Sequence, residues 1–155
     1  MEPLKVMLVE DNSSEAADVV AYLMSGYPDL VVKQIATERE FRDRLDAIRQ
    51  DPPDLFVMDI MLPWTEPSPK MPPVPLDVQE GGFFFAGVRC LTLLANHPNT
   101  SAVPVILCTV MGLAEIENNL GGLPIGGQVA HVSKASARLD EELLKAARRL
   151  LPLRV

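Results

Sequence analysis

The sequence is short of cysteine, aromatics and positive charge, and it has no long apolar run. Two cysteines in 155 residues, Cys90 and Cys108, cannot build a disulfide framework, and their spacing fits no metal or redox motif. Both lie in apolar surroundings and read as reduced core thiols. Aromatic residues make up 5% of the chain and include one tryptophan, Trp64. Lys and Arg number 14 against 21 Asp and Glu, a formal net charge of −7. That balance argues against nucleic acid or an anionic membrane surface as partner, since both select basic patches. Three bases near the end, Lys145, Arg148 and Arg149, suit the carboxyl end of a helix. No apolar stretch reaches the ~18–20 residues needed to cross a bilayer. Acidic residues follow soon after Met1, so no signal pattern is present, and a cytoplasmic protein is expected.

What the chain does have is 48% hydrophobic residues, enough for one compact domain spanning 1–155 with a substantial core. Five short apolar runs read as strands: Leu4–Val9, Leu30–Ala36, Leu55–Ile60, Val103–Val110 and Gln128–Ser133. Helical patterns separate them. Asn12 with Glu15 and Thr37 with Glu40 are spaced as capping boxes. The first opens a helix carrying Ala16, Val19, Val20, Leu23 and Met24; the second opens one carrying Phe41, Leu45 and Ile48. Gly87–Asn96, a weaker Leu113–Leu120 and Ala137–Leu151 complete the helices. Continuously apolar strands alternating with helices imply an α/β fold, a parallel sheet covered on both faces. Right-handed crossovers make it doubly wound, with its ligand site beyond the carboxyl ends of the strands.

One segment breaks the pattern. Pro63–Pro75 holds six prolines in thirteen residues, so it cannot be helix or interior strand. An extended surface loop, inserted at about 63–82, is the expected form. Trp64 pins that loop to the body or forms part of a contact surface.

In a sheet of order 2-1-3-4-5, the ends of strands one, three, four and five lie side by side. Those ends carry Glu10 and Asp11, Asp59, Thr109, and Lys134. Three carboxylates in one crevice repel one another unless a proton or a cation intervenes. Oxygen-only ligands suit a hard divalent ion such as Mg²⁺ or Mn²⁺, which in turn attracts a phosphoryl group. Asp59 can then act as nucleophile, with Lys134 neutralising charge and Thr109 donating a hydrogen bond. Taken singly, each residue has an ordinary structural reading; their joint placement on four strand ends does not.

The stretches VEDN at 9–12, VMDIMLP at 57–63, ILCTV at 106–110 and HVSKA at 131–135 closely resemble the receiver domain of bacterial two-component response regulators. The resemblance covers the chain apart from the proline-rich segment and implies a flavodoxin-like, five-stranded fold. It further implies phosphoryl transfer from a sensor histidine kinase or a histidine phosphotransfer protein onto Asp59, with autodephosphorylation. Glu10, Asp11, Asp59 and the backbone carbonyl of Met61 would hold the metal. Thr109 would be the switch hydroxyl, and Lys134 would pair with the phosphoryl group. The aromatic switch position of the family is occupied by His131, and Ala135 stands where a proline commonly follows the lysine. The spacing from Asp59 to Thr109 is 50 residues (109 − 59), longer than the family's usual spacing, and the surplus falls on the proline-rich loop. Two residues beyond Asp59 and Thr109 stand Met61 and Met111, whose apolar side chains are expected to slow loss of phosphate by limiting the approach of water.

After Lys134, 21 residues remain (155 − 134), so a stand-alone receiver is expected, acting on a downstream protein target; a homodimer is compatible with it. The alternative is a receiver-like interaction module that signals without phosphorylation, to which His131, Ala135 and the enlarged loop lend some weight. A flavodoxin-type cofactor binder fits less well. Its first loop should be rich in Ser, Thr and Gly to cradle a phosphate, whereas Glu10 and Asp11 would repel one.

Overall fold

The computed structural model describes residues 2–67, 69–70, 73–82, 85–120 and 128–151. Five strands, β1 (Lys5–Val9), β2 (Val31–Ile35), β3 (Leu55–Met58), β4 (Val105–Thr109) and β5 (Val129–Ser133), form one all-parallel sheet in the order β2-β1-β3-β4-β5. Between and after them run α1 (Ser13–Met24), α2 (Glu38–Asp43), α3 (Leu45–Gln50), α4 (Leu76–Gly81), α5 (Ala86–Ala95), α6 (Leu113–Leu120) and α7 (Leu139–Leu150). The flavodoxin-like doubly wound fold expected from the sequence is the fold observed.

The apolar strands are explained by the two faces they serve. Side chains alternate across a strand, so Met7, Val9, Phe56, Met58, Val105 and Leu107 join one core with Phe41, Ile48, Leu91 and Leu94 of α2, α3 and α5. Val6, Leu8, Leu55, Val57, Ile106 and Cys108 join a second core with Ala16, Val19 and Leu23 of α1 and with Leu143 and Ala147 of α7. β3 and β4 are buried at every position. β2, at the edge, is mostly exposed and carries Lys33 and Gln34, polar side chains that discourage edge-to-edge pairing.

Several boundaries differ from the sequence reading, and the differences have causes. β3 ends at Met58 rather than Ile60. The Asp59 N–H still donates to Val9 O (2.9 Å), but the Asp59 carboxylate then captures the next two amides, Ile60 N–H (2.7 Å) and Met61 N–H (3.3 Å). The helix expected after Thr37 is divided at Arg44, which has φ −95° and ψ 0°, yet Phe41, Leu45 and Ile48 remain on one buried face. The last helix begins at Leu139 rather than Ala137, with Asp140, Glu141 and Glu142 in its first turn and Arg148 and Arg149 in its last. These are the signs that the helix dipole favours.

The inserted segment begins at Pro63, five residues after β3 ends at Met58, and is tied down at once. Pro63 O and Trp64 O accept the Glu38 and Arg39 N–H groups (3.0 and 2.9 Å), satisfying amides that every helix leaves unpaired at its amino end. The segment also contains α4, a six-residue helix that the sequence reading left as loop. Pro75 immediately precedes it, a placement proline tolerates because no helical donor is lost there.

α5 then passes very close to the end of β3. Gly87 N–H donates to Ile60 O at 2.8 Å, and a Cβ at Gly87 would stand 2.3 Å from Asp59 O. That overlap involves backbone and cannot be relieved by a side-chain rotation. Gly87→Ala is therefore expected to shift Asp59 and to destabilise the fold by about 1–3 kcal/mol, the usual scale of overpacking. A urea unfolding midpoint unchanged from wild type would contradict this.

Candidate functional site

The carboxyl ends of β1, β3, β4 and β5 bring the sequence-selected residues together. Glu10 follows β1, Asp59 follows β3, Thr109 ends β4 and Lys134 follows β5. Glu10, Asp59 and Thr109 are buried, at 2%, 6% and 0% exposure. The Lys134 ammonium lies among the acids: 2.7 Å from Asp59 Oδ2, 2.6 Å from Glu10 Oε2 and 3.0 Å from Glu15 Oε2. Its side chain is 8% exposed.

The two oxygens of Asp59 are treated differently. Oδ1 accepts the Ile60 and Met61 N–H groups, while Oδ2 is held by Lys134. Oδ1 is thus pinned by the backbone, and Oδ2 by the lysine side chain. Thr109 Oγ1 accepts the Met111 N–H at 3.3 Å, and Thr109 O accepts the Lys134 N–H at 2.9 Å, which fixes the lysine's backbone beside the hydroxyl. His131, the proposed switch residue, is half-buried on β5 with Nε2 2.9 Å from Met111 O. The ring therefore links β5 to the segment after β4.

Glu15 is a site residue that sequence reasoning missed. Its spacing from Asn12 reads as a capping box, and half of that box forms: Asn12 Oδ1 accepts the Glu15 N–H at 2.9 Å. The reciprocal bond is made by another acid, since the Asn12 N–H donates to Glu10 Oε1 at 3.1 Å. The Glu15 carboxylate is thereby free to reach Lys134. Carboxylate oxygens of Glu10, Glu15 and Asp59 lie within 4.8 Å of one another, whereas Asp11, expected in that trio, is exposed and stands at the rim. A first-turn acid on the helix that follows β1 was the available signal.

Burial pushes the Glu10 carboxyl up to about 7; the charge of Asp59 adds to the rise, and Lys134 opposes it. For Lys134 burial acts downward, but hydrogen bonds to Asp59 and Glu10 outweigh it and hold the ammonium well above its ordinary range. The Cys108 thiol on β4 is pushed up to about 12 by burial and is inert at neutral pH.

Beside Asp59 opens a cleft of about 660 Å³. Its lining combines the polar Asp11, Asn12, Glu15 and Asp59 with the apolar Met61, Leu62, Pro63, Trp64, Val74 and Val78. The inserted segment is thus one wall of the site. Of the two methionines, Met61 lines the cleft, while Met111 is buried in the core.

That wall is held by an ionic network. Glu38, fully buried, accepts two hydrogen bonds from Arg89 of α5 (2.8 and 2.7 Å) and one from Arg42 (3.0 Å). Arg42 continues to Asp77 of α4 (2.7 Å), and its guanidinium lies 5.5 Å from the Trp64 ring centroid. Asp77, bonded by Arg42, is held below the usual carboxylate range.

No family model matches the sequence, and no curated protein sequence matches it. Solved structures do match over nearly the whole chain. The chemotaxis response regulator CheY4 of Vibrio cholerae superposes with a TM-score of 0.64 at 19% identity, covering 97% of this chain and 100% of that one. The receiver domain of a sensor histidine kinase from Pseudomonas aeruginosa PAO1, with magnesium coordinated in its active-site cleft, gives 0.65 at 19% identity, covering 96% and 98%. The manganese-bound response regulator Rcp1 gives 0.65 at 16% identity, covering 99% and 98%. At these identities the likeness speaks for architecture, and with the sheet order above it establishes that the chain has the fold of response regulator receiver domains.

Proposed function

We propose that this chain, as a single domain, accepts a phosphoryl group on Asp59 in a reaction dependent on a divalent cation. The phosphoryl group would come from a sensor histidine kinase or a histidine phosphotransfer protein. The observation that carries the reading is the placement of Glu10, Asp59, Thr109 and Lys134 on four adjacent strand ends of a receiver fold. With Oδ1 held by two backbone amides, Oδ2 is the oxygen available to attack phosphorus. Lys134, released from Glu10 and Glu15, would follow the negative charge onto the phosphoryl oxygens. The Thr109 hydroxyl, next to the Lys134 backbone, would turn to donate to them. Movement at Thr109 would reach β5 through the bond between Met111 O and His131, and so present an altered surface to a downstream protein target.

The donor set fits a hard cation: clustered carboxylate oxygens with more negative charge than one ammonium neutralises. Glu10, Asp11, Asp59 and the Met61 carbonyl would hold Mg²⁺ or Mn²⁺, with Glu15 close enough to contribute. Such an ion supplies charge neutralisation for the transferring group.

Two measurements follow. Incubation with Mg²⁺ and acetyl phosphate should add one phosphoryl mass to the intact chain, and Asp59→Asn should abolish the gain. No gain with any donor would favour the phosphorylation-independent interaction module. Cation binding should also depend on pH. Glu10 keeps its proton to about pH 7 in the folded chain, against 4.5 ordinarily. The folded state therefore binds more protons in that window, and the associated stability is present at low pH and lost as pH rises through it. A cation needs the ionised acid, so Mg²⁺ affinity should fall below pH 7, with proton release on binding that calorimetry in buffers of different ionisation enthalpy detects. Affinity constant from pH 8 to pH 5.5 would contradict this.

A further inference from the structure

We propose that the cleft between Asp59 and the inserted segment binds a small organic cation with an apolar or aromatic body. This goes beyond the phosphoacceptor reading and shares with it only the divalent-cation site. At about 660 Å³ the cleft falls within the ~300–1,000 Å³ typical of small-molecule sites, and its lining is of two chemical kinds. Asp11, Glu15 and Asp59 are its acidic lining, and the ammonium at this site, Lys134, is already shared by Glu15, Asp59 and the buried Glu10. Negative charge is left over. Met61, Leu62, Pro63, Trp64, Val74 and Val78 are its apolar lining.

An inorganic cation satisfies the acids and leaves the apolar lining wetted. A neutral apolar molecule does the reverse, and an anion is repelled. An ammonium or amidinium group on a hydrophobic body satisfies both. The apolar wall is also pre-set, which lowers the cost of binding. Trp64 O accepts the Arg39 N–H, the Trp64 ring lies against Arg42, and Arg42 is bound to Asp77 of α4. A ligand so placed would put its charge against Asp59, so it would compete with a divalent cation and with phosphoryl transfer. The inserted segment thereby becomes the part of the chain that admits a chemical signal of its own.

Fluorescence of Trp64, the single tryptophan, reports occupancy. Without divalent cations, phenethylammonium should give a saturable change. Ethylammonium, which lacks the body, and phenylacetate, which reverses the charge, should each bind at least about 10-fold more weakly. Mg²⁺ should shift the phenethylammonium curve to higher concentration. Glu15→Gln, which keeps its capping N–H and removes a half-exposed charge, should weaken binding roughly 2–5-fold. Absence of a saturable change with phenethylammonium overturns the proposal, as does phenylacetate or ethylammonium binding equally well, or indifference to Mg²⁺. None of these titrations involves a phosphodonor, so a chain that takes up phosphate yet fails them keeps the phosphoacceptor reading and loses this one.

Discussion

Lys134→Met is expected to cost the folded chain about 3 kcal/mol at pH 8, because removing one partner of a buried ion pair leaves the others uncompensated. Three carboxylates, Glu10, Glu15 and Asp59, lose their common cation at once. Two of them are buried, and Glu10 already favours its protonated form, up to about pH 7. Without the ammonium, the folded state should hold its protons still more tightly. It would then bind more protons than the unfolded chain across the acid-to-neutral range, so the penalty grows as pH rises and shrinks as it falls. Millimolar Mg²⁺ should recover part of the loss by taking over the acids, and its affinity for the variant should exceed that for wild type. Urea unfolding at pH 8 and pH 6, with and without Mg²⁺, reads all three effects. An equal loss at both pH values would mean that the lysine contributes packing alone.

Glu38→Gln is expected to be comparably severe, at about 3–5 kcal/mol, although it lies outside the cluster of acids around Lys134. Its carboxylate is fully buried between Arg89, bound through both oxygens, and Arg42. A neutral amide would leave both guanidiniums short of an acceptor in a partly buried setting, and it would present donors of its own to them. The effect should also reach the cleft, because Arg42 is the link to Asp77 and to Trp64. A red shift and broadening of Trp64 emission should therefore accompany the loss of stability. Glu40→Gln, two residues on, provides the contrast. Its ion pair with Arg44 is a solvent-facing i,i+4 contact, a class worth only about 0.3–0.5 kcal/mol. Equal effects from the two substitutions would refute the role assigned to the buried network.

The fold was legible because the central strands β1, β3 and β4 are apolar on both faces, which in a chain of this length leaves few arrangements other than a covered parallel sheet. Glu10, Asp59, Thr109 and Lys134 were legible for the same reason: each terminates or follows such a run, and sheet order then places them together. Glu15 was not, because its spacing from Asn12 has a sufficient local explanation, and only the tertiary structure reveals that Glu10 takes over the reciprocal capping bond. The Glu38 network was hidden by distance along the chain. Arg42 and Arg89 lie on opposite sides of the inserted segment, and nothing local marks them as sharing one carboxylate. α4 escaped notice because six residues after a proline carry too little periodicity to register. The wall it helps to build turns the loop next to Asp59 from an excursion over the surface into one side of a cleft.

The most direct measurement is chemical mapping of the phosphorylated residue. After incubation with Mg²⁺ and acetyl phosphate, borohydride reduction converts an aspartyl phosphate to homoserine, which peptide mass spectrometry locates. The conversion is expected at position 59, dependent on Mg²⁺ and blocked by prior chelation. Conversion at another acid, or uptake that persists without any divalent cation, would contradict the account.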